Sequence, residues 1–492
     1  MNRLVVVSNR VPAPSAAGAQ AGGLAVALES LMERRGGVWF GWSGRIVDAP
    51  SNQAKMIDSG QVQFATLDLS AEEHDRYYND FSNSTLWPLL HSMPEMMTFD
   101  RRNALAYRAV NERFVEGLRP MLRADDLIWI HDYHLMAMPA LLRARGVLAP
   151  IGFFLHIPFP SADMLASVPE SEALVRDLLA CDLIGFQTAN DVENFAEAAT
   201  RHGDATRLDA GRLQVGRRQV RLGVFPVEIE AQEFAAMAED SWLAAPTERL
   251  RRSLSGQRLI LGVDRMDPTK GLPQRLAGYR RLLETRPEWH RRTTFLQIAA
   301  ESRKDVVAYQ DLRNAVEQAV GAINSAYSEA DWVPVRLVAR AGARSTMAGY
   351  MREARVGLVT PLRDGMNLVA KEFIAAQDPQ DPGVLILSRF AGAARQLGSA
   401  LIVNPHDPDQ LADALDTALN MSLAERQMRW QESWNALRGT SALAWGRSFV
   451  AALLRSAAIG PGSVRRAANG GGGVAGVQSF VLGTDTVGVR LN

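Results

Sequence analysis

VTPLRDGMNLVAKEFIAAQ, residues 359–377, sets the end of one structural element against the start of another. Val359 and Thr360 close the apolar run VGLVTP, Pro361 stops it, and Asp364-Gly365 is a turn signal. A helix-forming stretch follows, with Leu368, Val369 and Phe373 spaced for a buried face. A buried strand that turns into a helix is the building unit of a parallel α/β sheet. The charge at this junction is unusual for a tightly packed place. Arg363 and Asp364 crowd the turn, and Lys371 and Glu372 sit beside the apolar face.

The same alternation runs through most of the chain. LVVVSNRV, LIWIHDYHL, IGFFLHIPF, LIGFQT and VRLGVFPV are strand candidates in the first half; LILGVDR, TFLQIAA, VRLVAR, VGLVTP, VLILS and ALIVNP follow in the second. These runs lack polar alternation, as strands buried on both faces of a parallel sheet do. Helical patterns such as LPQRLAGYRRLLETR and DQLADALDTAL lie between them. The expected fold is α/β, with two doubly wound Rossmann-like domains at residues 1–230 and 231–458. Residues 459–492 form a glycine-rich stretch that reads as a flexible tail, and the last helices before it can pack back on the first domain.

A chain of 492 residues is too long for one ordinary core. Its 54 basic and 54 acidic residues cancel, which argues against a general nucleic-acid binder. The single cysteine, Cys181, excludes an internal disulfide and fits a reducing cytosol. The N-terminal apolar core LVVV is shorter than a signal-peptide core, and no stretch approaches the roughly 20 apolar residues of a membrane helix. The expected compartment is the cytoplasm, with no membrane partner.

In doubly wound sheets ligands bind at the carboxyl ends of strands. Arg10 ends the first strand, and a loop runs from it to Gly22-Gly23 before a helix. Paired glycines let backbone N–H groups approach an anion, although a plain turn would use them too. Asp132 ends LIWIHD and His156 ends IGFFLH. Taken singly, the first fits a helix cap and the second a hydrogen-bonded structural histidine. Arg265 ends LILGVDR and Lys270 follows in DPTKG, two cations suited to a diphosphate or to a solvated loop. Arg303 follows TFLQIAAES as either a surface residue or an anion ligand. In the opening stretch, a helix beginning near Met366 would offer free N–H groups. Asp364 would then hold a sugar and Glu372 a ribose diol.

Together these stretches resemble the trehalose-6-phosphate synthases, retaining glycosyltransferases of family 20 with the two-domain GT-B fold. The resemblance covers residues 2–455 and rests on VVVSNR, AGGL, WFGWSG, YYNDFSNSTLWP, WIHDYHL, GFFLHIPFP, GFQT, DRMDPTKGLPQR and VTPLRDGMNLVAKEF. It implies two sheets facing across a cleft, a nucleotide-glucose donor (UDP-glucose foremost), glucose 6-phosphate as acceptor, no cofactor or essential metal, and a homo-oligomer. By matching position, it implies that Gly22 and Gly23 lie on a loop closing over the donor. Arg265 and Lys270 would hold the diphosphate, and Asp364 the transferred glucose. Asn367, Leu368, Val369, Ala370 and Lys371 would form the donor segment, and Glu372 would take the ribose. Arg10, Tyr78 and Arg303 would grip the acceptor phosphate. Asp132 and Trp87 would meet the acceptor's hydroxyls, Trp42 would line that pocket, and His156 would meet the transferred sugar. Gly342 stands where many relatives carry an aromatic residue, which leaves UDP, GDP and ADP open. A synthase using another acceptor, such as one making glucosylglycerol phosphate, and a non-catalytic sugar-phosphate binder are the alternatives.

Overall fold

The computed structural model describes residues 2–12, 23–303 and 306–457, so Gly22 and the tail at 459–492 lie outside the described residues. The first sheet contains β1 (Leu4–Arg10), β2 (Gly37–Ile46), β3 (Lys55–Ser59), β4 (Val62–Leu69) and β5 (Leu127–His131). It continues with β6 (Ile151–Phe154), β7 (Leu183–Phe186), β8 (Thr206–Asp209), β9 (Arg212–Val215) and β10 (Arg218–Val224). Their spatial order is 3-4-2-1-5-6-7-10-9-8. The second sheet contains β11 (Arg258–Arg265), β12 (Thr293–Ala300), β13 (Val335–Val338), β14 (Val356–Val359), β15 (Val384–Ser388) and β16 (Leu401–Val403). Its order is 13-12-11-14-15-16, and all its neighbours are parallel.

The continuous apolar runs form the interior of both sheets. Every residue of β5, β6, β7, β14 and β15 is buried. Among the described strands, antiparallel pairing occurs only at the rims of the first sheet, between β3 and β4 and among β8, β9 and β10. The outermost strands, KMIDS and TRLD, are short, charged and exposed. Such edges resist pairing with another chain.

Strand order reverses between β1 and β5 in one sheet and between β11 and β14 in the other. Crevices open at the carboxyl ends of the strands where order reverses. The sequence places Arg10 and Asp132 at the first reversal, and Arg265 and the segment Thr360–Asn367 at the second.

The chain leaves the first sheet at Val224 and begins the second at Arg258. It returns through Thr440 to the helix Ala442–Ala457, which packs on the first sheet. Phe449 of this helix stacks on Trp129 of β5, with centroids 4.4 Å apart. Gly152 and Gly185 make room for it, because a Cβ on either would come within 2.7 Å of the Phe449 ring. The two crossings meet at Glu228. Its carboxylate accepts hydrogen bonds from Lys371 Nζ at 2.7 Å, Gln396 Nε2 at 2.8 Å and Thr440 Oγ1 at 3.1 Å. Among the described residues, no helix is long and apolar enough to cross a membrane.

Candidate active site

The second sheet supplies one wall of the cleft. β11 ends at Arg265, and buried Asp267 then caps the short turn Pro268–Lys270 by accepting from Thr269 N at 3.1 Å. Burial alone would raise the Asp267 pKa, but Arg265, Arg303 and Lys270 hold it down to about 2. Lys270 Nζ donates to Asp364 Oδ2, and Asn367 Nδ2 donates to the same oxygen at 3.0 Å. One cation and one amide thus aim the carboxylate that leads from β14 into the helix that follows.

The sequence puts the start of that helix near Met366; it begins at Leu368 and runs to Ala376. The difference has a cause in the backbone. Asn367 adopts a left-handed φ of 71°, and its Oδ1 accepts from Ala370 N at 3.2 Å. Asparagine tolerates that conformation and is a preferred cap. The cap uses one of the four unpaired N–H groups of the first turn and leaves those of Leu368 and Val369 without helical partners.

Further along, Glu372 accepts from Arg344 Nη2 at 3.2 Å, and burial raises its pKa against the pull of that arginine. Gly342 lies in the loop just before the helix Arg344–Glu353. Ala370 is buried. Lys371 turns into the interior, where its ammonium is 0% exposed and donates to Glu228 and to Val227 O at 2.8 Å. Only its backbone remains for a ligand. Gly23 opens the helix Gly23–Arg35 behind β1.

The facing wall comes from the first sheet and from helices packed beside it. Arg10 lies 5.9 Å from the Trp42 ring centroid, and Trp42 lies 5.9 Å from Tyr78. Tyr78 stacks on His134, which meets Tyr133 at 3.9 Å; Tyr133 in turn lies 5.6 Å from Trp87. Tyr78 and Trp87 are held by a π-helical segment, His74–Leu86, that runs directly into the helix Trp87–Leu90.

Arg303, from the second sheet, completes this wall. Its guanidinium lies 4.0 Å above Trp87, donates to Tyr133 OH at 3.1 Å and to Tyr309 OH, and sits 3.9 Å from Asp267. Asp132, just past β5, accepts from His156 N at 3.2 Å. Burial pushes its pKa up to about 6. Its φ of 74° and ψ of 166° are ordinarily glycine's. Three of the seven described non-glycine residues with positive φ, namely Asp132, Arg303 and Asn367, stand in this cleft. The lobes touch at Gly365, where an added Cβ would come within 2.2 Å of His156 O.

Several residues of this arrangement carry no role in the sequence reading. Tyr133 and His131 belong to the quoted motif WIHDYHL, and Asp267 to DRMDPTKG, yet only their neighbours stood out as strand-end charges. Tyr309 has no local signal; it joins the site because the helix Val307–Tyr327 starts beside Arg303.

The model of glycosyltransferase family 20 matches residues 2–455. The trehalose-6-phosphate synthase of Sinorhizobium fredii is 44% identical, over 93% of this chain and 99% of that protein. The crystal structure of an α,α-trehalose-phosphate synthase (UDP-forming) from Burkholderia xenovorans in complex with glucose-6-phosphate is 43% identical. It superposes with a TM-score of 0.89, covering 92% of this chain and 100% of that one. A trehalose-6-phosphate enzyme from E. coli bound with UDP-2-fluoro glucose is 42% identical, with a TM-score of 0.87 over 92% of this chain and 99% of that one.

Proposed function

The chain belongs to glycosyltransferase family 20, and from that premise we propose how its side chains carry out the transfer. The reaction moves glucose from UDP-glucose to glucose 6-phosphate, giving α,α-trehalose 6-phosphate and UDP. The observation that carries the assignment of roles is the meeting of the two walls at Arg303, which rises from the nucleotide side and lies on Trp87 of the sugar-phosphate side.

Arg10 and Arg303 bind the acceptor phosphate, because a dianion is matched by two guanidinium groups that carry no tight carboxylate among the described residues. Tyr78 adds a phenolic donor. Asp132 orients the acceptor glucose through its hydroxyls, with Trp42 and Trp87 packing against the sugar. On the donor side the free amides of Leu368 and Val369 and the cations of Arg265 and Lys270 take the diphosphate. Asp364, fixed by Lys270 and Asn367, accepts hydroxyls of the transferred glucose, and Glu372 releases Arg344 to take the ribose.

As the bond from the anomeric carbon to the diphosphate oxygen breaks, charge builds on that oxygen. Fixed cations aimed at it lower the barrier, so the reaction needs no resident metal in this reading. The acceptor's anomeric hydroxyl attacks from the face the diphosphate leaves. Its proton passes to the departing oxygen, which preserves the configuration without a carboxylate nucleophile.

A panel of nucleotide-glucose donors against sugar-phosphate acceptors tests this. UDP release should require glucose 6-phosphate, and the product should carry the mass and α,α configuration of trehalose 6-phosphate. Faster turnover with glycerol 3-phosphate would overturn the acceptor assignment.

A further inference from the structure

Behind His156 stands a second histidine with no role in the transfer described above. His131 Nδ1 lies 3.0 Å from His156 Nε2. Burial holds both rings neutral, His131 well below the ordinary histidine range and His156 at about 3. Between two neutral imidazoles, one nitrogen donates and the other accepts, so the tautomer of each ring fixes that of the other.

The remaining nitrogen of each ring decides the direction. His131 Nε2 is sealed from solvent without a partner among the described residues. Around it are rings: Trp129 at 4.4 Å and Phe154 and Trp445 at 6.4 Å, centroid to centroid. The indole N–H of Trp129 is also buried and unpartnered among the described residues. A proton on His131 Nε2 would strand a second donor in this pocket, whereas the bare nitrogen supplies an acceptor there. His156 Nδ1 is different. It has no partner among the described residues, yet it is not sealed and its residue stays partly exposed. A proton there can be met by solvent or ligand.

We propose that His131 is a positioning residue that carries its proton on Nδ1, donates to His156 Nε2, and so obliges His156 to present Nδ1–H as a donor to a hydroxyl oxygen of the transferred sugar. The identity of that sugar rests on the function proposed above; the proton positions do not. Because His156 can then only donate, the hydroxyl it meets must accept, and its own hydrogen turns to another partner. One remote ring thereby sets the direction of a hydrogen bond in the cleft.

Neutron diffraction from deuterium-exchanged crystals of the wild-type protein reads the protons directly. Deuterium on His131 Nδ1 and His156 Nδ1 is expected. Deuterium on His131 Nε2 or on His156 Nε2 overturns the proposal, whatever substrate the enzyme takes. Failure of UDP-glucose turnover would sink the functional reading and leave the deuterium positions standing. Kinetics add a second arm. His131→Phe keeps a ring but removes the donor, whereas His131→Asn keeps an N–H near the Nδ1 position. The first should lower kcat roughly tenfold with the glucose 6-phosphate KM held within about twofold, and the second should restore most of the loss. Equal losses in both variants, or none in either, would remove His131 from the positioning role.

Discussion

On the donor wall four cations each have a carboxylate close by. Lys270 has Asp364, Arg265 has Asp267 at 3.6 Å, Arg344 has Glu372 at 3.2 Å and Lys371 has Glu228 at 2.7 Å. The acceptor wall holds its cations on rings instead. Arg10 lies over Trp42, and Arg303 lies over Trp87 with a carboxylate no nearer than 3.9 Å among the described residues. A paired cation is electrically quiet until a ligand exchanges partners with it. A cation resting on an aromatic face keeps most of its charge for an incoming anion. The difference fits the two substrates: a nucleotide sugar that brings hydroxyls and phosphates together, and a compact sugar phosphate whose dianion is the main handle.

The largest effect should come from the deepest donor-side pair. Lys371 and Glu228 are 0% and 7% exposed, so removing one partner leaves an uncompensated buried charge. Lys371→Met should cost about 3–5 kcal/mol in denaturant unfolding. Adding Glu228→Gln should restore much of that. A double variant as unstable as the single one would show that this wall does not hang on the ion pair. Lys270→Ala comes next. In the proposed role it removes a cation from the departing diphosphate, so kcat should fall by about 10²–10³-fold in steady-state assays, with folding retained. Near-normal turnover would leave Lys270 only its link to Asp364.

Arg303→Ala tests the ring-held side. Loss of a charge-assisted contact costs about 1.5–3 kcal/mol, so the glucose 6-phosphate KM should rise roughly 10–100-fold while that for UDP-glucose changes far less. Equal increases for both substrates would show that the two walls do not divide the ligands.

What the sequence made legible follows the same division. Strand ends could be read because the buried parallel strands are unbroken apolar runs, and so Arg10, Asp132 and Arg265 stood out at their ends and Asp364 in the turn beyond β14. Rim strands such as KMIDS and TRLD escaped notice, since short polar segments pair only through their neighbours. The inward turn of Lys371 was hidden because its partner lies 143 residues away in sequence. The helix start shifted by two residues because a left-handed Asn367 is a backbone property that residue type permits without dictating. Tyr309 was invisible for a similar reason, as its place beside Arg303 comes from the packing of a helix start against the cleft.

Asp132 is the exception on the acceptor wall, a carboxylate among rings, and it should show the smallest and most informative effect. Its pKa rises from 3.8 to about 6 because burial disfavours the charge. Below pH 3.8 both the folded and the unfolded chain hold the proton, and the site costs nothing. Between 3.8 and about 6 the unfolded chain has released it while the folded protein keeps it, so stability falls as pH rises through this window. Above about 6 the penalty is complete. Asp132→Asn should therefore be more stable than wild type at pH 7 and lose that advantage near pH 4, while its kcat/KM for glucose 6-phosphate falls at neutral pH. Denaturant midpoints at the two pH values, set beside the kinetics, measure both signs. A variant less stable than wild type at pH 7 would mean that the carboxylate supports the fold, and that this wall, like the other, depends on charge for its structure.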